Sequence, residues 1–171
     1  LRPAMAPYTV FVDGISKAFA ATGVRVGWGV GPPAVISRMS DILGHVGAWA
    51  PRPEQVATAQ FLADQEGIET FRHQFRAGVQ ERLSRLHGSF QDFARAGLPV
   101  ESIEPMGAIC LTERVAANGR TAPDGTKLET NDDIRRYLLA QAGVALVPFQ
   151  SFAYRQNDGW FRCSVGAVSV A

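Results

Sequence analysis

The chain has 171 residues, 46% of them hydrophobic and 19% charged, a composition that builds a folded core and excludes a disordered polypeptide. Its 17 Lys and Arg nearly cancel its 16 Asp and Glu, which excludes a basic face made for nucleic acid or an acidic membrane and leaves small-molecule chemistry as the default. Cys110 and Cys163 follow no CxxC or CxxH spacing, so neither a zinc site nor a disulfide framework is expected, and a reducing cytosol fits best.

No apolar run approaches the roughly 20 residues that cross a bilayer, and no basic-then-apolar leader opens the sequence. The chain begins at Leu1 and stops inside an apolar pattern at Ser169-Val170-Ala171. Neither end is expected to be a natural boundary.

In chain order, Tyr8-Thr9-Val10-Phe11-Val12 is a β-branched and aromatic run closed by Asp13-Gly14, and residues 24–30 alternate before Gly31-Pro32-Pro33. Both predict strands. The segment between them, 13–23, predicts a loop of small residues carrying Lys17. Pro33 opens a helix that residues 34–43 continue until Gly44. Pro53-Glu54 begins a second, long helical stretch, with Gly67 expected to break it. From there Ile68, Phe71, Phe75, Val79, Leu83, Leu86, Phe90 and Phe93 recur every three or four residues for about seven turns, until Gly97-Leu98-Pro99 ends the stripe.

Two short strands, at 100–103 and 108–111, follow around Pro105-Met106-Gly107. Residues 116–126 predict a polar excursion with Asn118-Gly119 and Asp124-Gly125 turns. Thr130-Asn131-Asp132-Asp133 has capping-box spacing ahead of a helix faced by Ile134, Leu138 and Leu139 and ended by Gly143. Further strands are expected at 144–147 and 160–165. There are no internal repeats.

The chemistry concentrates around Ser16-Lys17-Ala18-Phe19-Ala20-Ala21-Thr22-Gly23-Val24-Arg25-Val26-Gly27. A lysine among small residues can reach a ligand unobstructed, and enclosure there favours a neutral, nucleophilic amine. Arg25, at the start of the next strand, offers a planar fork of donors suited to phosphate. Near the other end, Val147-Pro148-Phe149-Gln150-Ser151-Phe152 precedes Gly159-Trp160-Phe161-Arg162-Cys163-Ser164, in which Arg162 carries a permanently charged fork of donors. His45, His73 and His87 share no ligand spacing and are read as structural. Glu66, Glu69 and Glu81 are read as solvated helix charges, and the two cysteines as small apolar residues. No metal site is expected.

The first segment matches S-K-x-F-x-x-x-G-x-R-x-G at every fixed position and resembles the fold-type I pyridoxal-phosphate-dependent aminotransferases, class I/II of the aspartate aminotransferase superfamily. Pro105-Met106-Gly107-Ala108-Ile109-Cys110 is similar to the family's P-x-G-A-(aromatic) strand. The resemblance covers nearly all of residues 8–168. It implies an α/β fold: residues 1–50 as a remnant of the large cofactor domain with two strands and the lysine loop, 51–97 as interdomain helices, and 98–171 as a small α+β C-terminal domain without its last helix.

It also implies pyridoxal 5'-phosphate as cofactor, with Lys17 as the catalytic Schiff-base lysine, Arg25 and Ser16 on the cofactor phosphate, and Arg162 on the substrate α-carboxylate. The chain departs from the pattern by carrying Gly14 three residues before the lysine, where many members have Ser. The implied reaction exchanges an amino group between an L-amino acid, aspartate-like by preference, and a 2-oxo acid, in a cytoplasmic homodimer. Another reaction of the same cofactor, such as elimination or C–S cleavage, and an aminotransferase-like sensor domain of a transcription regulator remain alternatives. About half of a family member precedes its lysine, so the resemblance implies that several cofactor-holding groups are missing and that this polypeptide alone is inactive.

Overall fold

The computed structural model describes residues 2–166; the apolar end at Ser169-Val170-Ala171 lies outside the described residues. The chain divides into two compact units, residues 1–75 and 76–171, and is a mixture of helices and strands.

In the first unit a 3₁₀ turn, Pro3–Tyr8, precedes strand β1, Phe11–Gly14. The predicted strand therefore starts late, because Pro3 and Pro7 lock the backbone of the preceding turn. A one-turn helix α1, Ile15–Ala18, follows, and β2, Gly27–Val30, pairs antiparallel with β1 in the register Phe11↔Val30 to Gly14↔Gly27. Lys17 thus sits on a helical turn and not on irregular loop. Arg25, predicted to open the second strand, lies before it with φ of 60°, in the left-handed region that a ladder strand does not visit.

Helix α2, Pro33–Val46, runs past Gly44 and stops where Gly47 adopts φ of 66° and donates its N–H to the Leu43 carbonyl at 3.0 Å. Gly44 serves packing instead: a Cβ there would lie 3.3 Å from the Trp49 ring. Helix α3, Arg52–Ala63, ends at Asp64, and α4, Gln65–Arg95, begins directly after it. The break falls at Asp64 and not at Gly67. The Asp64 carboxylate accepts the Gly67 N–H at 3.0 Å and occupies the space a Cβ would need, so the glycine lets the helix be capped. Ile15, Val26, Thr58 and Ile68 are buried here. Phe19 meets Phe61 edge-on at 5.2 Å and stacks on Phe71 at 6.3 Å.

The second unit is an antiparallel sheet in the order β3-β4-β8-β7, formed by β3, Val100–Ser102, β4, Cys110–Val115, β7, Val147–Pro148, and β8, Trp160–Ser164. The strand expected at 144–147 shrinks to two ladder residues because Gly143, at φ of 66°, is still ending the preceding helix. That helix, α5, Asn131–Ala142, starts from the expected capping box: Thr130 Oγ1 accepts the Asp133 N–H at 3.2 Å, and Asp133 Oδ2 accepts the Thr130 N–H at 2.8 Å. The polar excursion contains a small hairpin, β5, Arg120–Thr121, and β6, Lys127–Leu128, turned at Gly125 with φ of 87°.

Cross-strand partners share a face, so Leu111, Glu113, Phe161 and Cys163 stand together. Val79, Leu83, Leu86 and Phe90 of α4 pack against Leu111. Ile134, Leu146, Leu128 and Ala122 pack against Phe161. The opposite face carries Thr112, Arg114, Trp160 and Arg162. The apolar stripe of α4 packs inward as its spacing predicts, except at its end, where Phe93 is exposed.

Candidate functional site

In the first unit the paired strands meet at two glycines. A Cβ on Gly14 would come 3.0 Å from the Val26 carbonyl oxygen, and one on Gly27 would come 3.0 Å from that of Asp13. Only residues without side chains allow so close an approach, and the segment between them leaves and rejoins the hairpin at one narrow neck. Just inside the neck the Ile15 N–H donates to the Val26 carbonyl at 3.3 Å, and both side chains are buried.

With Ile15 and Val26 turned inward, Ser16, Lys17 and Arg25 line one open hollow of about 490 Å³, together with Asp13, Gly14, Ala18, Val26 and Gly27. Ser16 is half-buried, whereas Lys17 and Arg25 are exposed. The enclosure expected around Lys17 is therefore not supplied by the described residues of this unit. Arg25 donates from Nη1 to the Thr22 carbonyl at 2.8 Å, which braces the cation against its own loop. The hollow brings together an amine, a hydroxyl and a guanidinium, a set fitted to a ligand bearing both an electrophilic carbon and an anionic group.

Arg162 belongs to the second unit. It lies on β8 between Thr112 and Val147, half-buried, with its guanidinium 4.5 Å from the centre of the Phe152 ring. Its Nε is buried and has no hydrogen-bond partner among the described residues. A buried, unpaired arginine nitrogen lacks an acceptor, and an anion satisfies that need. The flanking turn, Phe149–Phe152, is aromatic: Phe149 contacts Phe152 and Tyr154 at 6.1 Å each and Trp160 at 6.4 Å. Phe152 gives no local sequence signal for this role, since its contact with Arg162 arises only when β7 and β8 pair.

His87 is held structurally, with Nδ1 2.7 Å from Ser102 Oγ and Nε2 3.2 Å from Gln91 Nε2. Glu69 and Glu81 pair with Arg72 and Arg85 on the surface of α4. Both cysteines are free and half-buried. Cys110 and Cys163 occupy opposite faces of their sheet, since Cys110 faces Ser164 and Leu111 faces Cys163. Among the described residues no His, Cys, Asp or Glu cluster could hold a metal ion, and no helix is long and apolar enough to cross a membrane.

Residues 2–171 match the family model for aminotransferase class I and II. The chain is 28% identical over 157 residues to an aspartate aminotransferase of Geobacillus stearothermophilus, covering 92% of this chain and 37% of that protein. It is 33% identical over 170 residues to a bifunctional aspartate aminotransferase and glutamate/aspartate-prephenate aminotransferase of Petunia hybrida, covering 96% and 33%. Among solved structures, the aspartate aminotransferase of Rhizobium meliloti superposes with a TM-score of 0.79 at 25% identity, covering 98% of this chain and 40% of that one. An aspartate aminotransferase of Thermus thermophilus superposes at 0.77 with 28% identity, covering 95% and 40%. The chain thus spans about a third to two fifths of the length of the relatives it matches. Matched to the family model from residue 2 to residue 171, it belongs to the class I and II aminotransferases.

Proposed function

We propose that these residues form the lysine-bearing and substrate-carboxylate parts of a pyridoxal-phosphate-dependent transaminase, which moves an amino group between an aspartate-like L-amino acid and a 2-oxo acid. The observation that carries this reading is the hollow in which Lys17, Ser16 and Arg25 meet behind the glycine neck. The donor set fits the cofactor: the Lys17 amine would hold it at its aldehyde end, and the Arg25 guanidinium and the Ser16 hydroxyl would hold its phosphate. When bound, the cofactor supplies a ring that draws electrons from the substrate Cα.

Lys17 would hold the proton taken from the substrate Cα, and Arg162 would fix the α-carboxylate so that the Cα–H bond is held in one direction. The preference for aspartate-like substrates rests on several relatives that are aspartate aminotransferases. In the parent protein residues 1–50 act within the large cofactor domain, 51–97 as interdomain helices, and 98–171 as the small domain. The parent works as a cytoplasmic homodimer.

Added pyridoxal phosphate tests the assignment of Lys17. The chain is expected to develop an absorbance band near that of a protein-bound Schiff base, and Lys17→Ala is expected to lose it. An equal band in both proteins refutes the role given to Lys17. In a steady-state assay with aspartate and 2-oxoglutarate, the 171-residue polypeptide alone is expected to give no turnover, because Lys17 stands exposed and its own unit does not enclose a ligand.

A further inference from the structure

We propose that Asn131 is a positioning residue for Arg162, tying the strand that carries the guanidinium to the turn that carries its aromatic platform. The inference rests on the reading of Arg162 as the carboxylate clamp. Arg162 has no acid partner among the described residues and no acceptor at Nε; what faces it is the Phe152 ring at 4.5 Å. That ring belongs to the turn Phe149–Phe152, which follows the two ladder pairs Val147↔Arg162 and Pro148↔Phe161 and touches the sheet again through Phe149 on Trp160. Two residues of edge ladder are a weak hinge for a ring that must stay beneath a cation.

Asn131 adds a directional constraint to these. It is 1% exposed and opens α5. Its Oδ1 accepts the Gly159 N–H at 2.9 Å and Asn118 Nδ2 at 3.2 Å; its Nδ2 donates to the Trp160 carbonyl at 3.2 Å and to Gln150 Oε1 at 3.2 Å. Both valences of the oxygen and both hydrogens of the nitrogen are satisfied. A backbone N–H can only donate and a backbone carbonyl can only accept, so Gly159 and Trp160 dictate which way the amide faces.

Those two groups lie just ahead of Arg162, Trp160 opening its strand and Gly159 directly before that strand. Gln150 lies in the turn that carries Phe152. One buried side chain therefore holds both partners of the cation–ring contact. The link is braced a second time: Asn157 Oδ1 accepts the Asn131 backbone N–H at 3.0 Å and Gln150 Nε2 at 3.4 Å. Asn118 Oδ1 has no partner among the described residues, but the Asn131 side chain itself is fully bonded, and a buried link of this kind fixes geometry more than it adds stability.

The test is an NMR measurement on the chain, with maleate as the carboxylate probe. The Arg162 Nε–H resonance of the wild type is expected to lie upfield through the ring current of Phe152, with Phe152→Leu as the unshifted reference. Gln150→Leu removes the arm that reaches the turn, together with the Gln150 bonds to Asn157 Oδ1 and the Gln156 carbonyl, and leaves the other three side-chain hydrogen bonds of Asn131 in place. It is expected to move the Arg162 resonance at least half of the way to the reference while the α4 amide resonances stay put. Asn131→Ala is expected to complete the shift.

Loss of positioning is expected to weaken maleate binding about tenfold, the equivalent of one hydrogen bond. A wild-type Arg162 resonance in Gln150→Leu overturns the proposal, whatever happens to maleate and whether or not Asn131→Ala folds. The clamp reading fails separately: maleate that binds Arg162→Lys as tightly as wild type refutes it without touching the resonance.

Discussion

Glu113→Gln is expected to flatten the pH dependence of this chain's stability. Glu113 is 1% exposed on the helix-covered face of the second unit's sheet, opposite Ser102 and Phe161, and its Oε2 has no hydrogen-bond partner among the described residues. Burial pushes its carboxyl up from 4.5 to about 7. At about 1.4 kcal/mol per pH unit, ionising the group in place costs about 3 kcal/mol.

The folded chain keeps a proton that the unfolded chain releases from about pH 4.5 upward. The stabilisation is therefore complete below about 4.5, is lost as pH rises to about 7, and changes little above that. Gln stays neutral throughout. Any pH-independent cost of its amide cancels when the two proteins are compared across pH. In urea unfolding followed by circular dichroism, the difference between Glu113→Gln and wild type should move by about 2–3 kcal/mol in favour of the variant between pH 5 and 8. Parallel profiles across that window would refute the reasoning. The upper limit of pH 8 avoids Cys163, whose thiol is raised to about 11 by burial, by the charge of Glu113 and by Cys110.

Gly159→Ala should destabilise the chain by at least about 2 kcal/mol, since φ is 87° and the added Cβ would lie 2.3 Å from the Val115 carbonyl oxygen; urea melts give the value. Thr130→Ala removes half of the capping box and should cost about 1 kcal/mol in the same melts, with protection from hydrogen exchange falling first at the start of α5. Ala153 holds φ of 64°, so Ala153→Gly should gain about 1 kcal/mol; a loss of stability would show that its methyl group packs.

What could be read in advance depended on whether the signal is local. The α4 stripe and the Thr130 box are repeats or spacings within one helix, and both appear where the residues place them. Gly67 and Gly44 were open to misreading because a glycine near a helix end has several uses. Here Asp64 ends α3 with its carboxylate filling the space beside Gly67, and Gly44 faces Trp49. The hairpin of β5 and β6 has only two residues on each side, too few for any periodicity. In the candidate site, the proximity of Ser16, Lys17 and Arg25 was legible because all three lie in one short segment. The left-handed backbone of Arg25 and the exposure of Lys17 were not, since both depend on how that segment folds back on itself. Asn131 and Phe152 were silent because their partners are far along the chain: Asn131 reaches residues between Asn118 and Trp160.

The glycine neck has a consequence for change over time and for engineering. Because Gly14 and Gly27 bring the two strand ends together at one point, the segment between them behaves as a cassette plugged into a fixed socket. Changes among its exposed residues are expected to leave the strand register intact, provided that Ile15 and Val26 still seat its base and Phe19 still packs on Phe61 and Phe71. Substituting either glycine instead pries the socket open and displaces every group in the cassette at once.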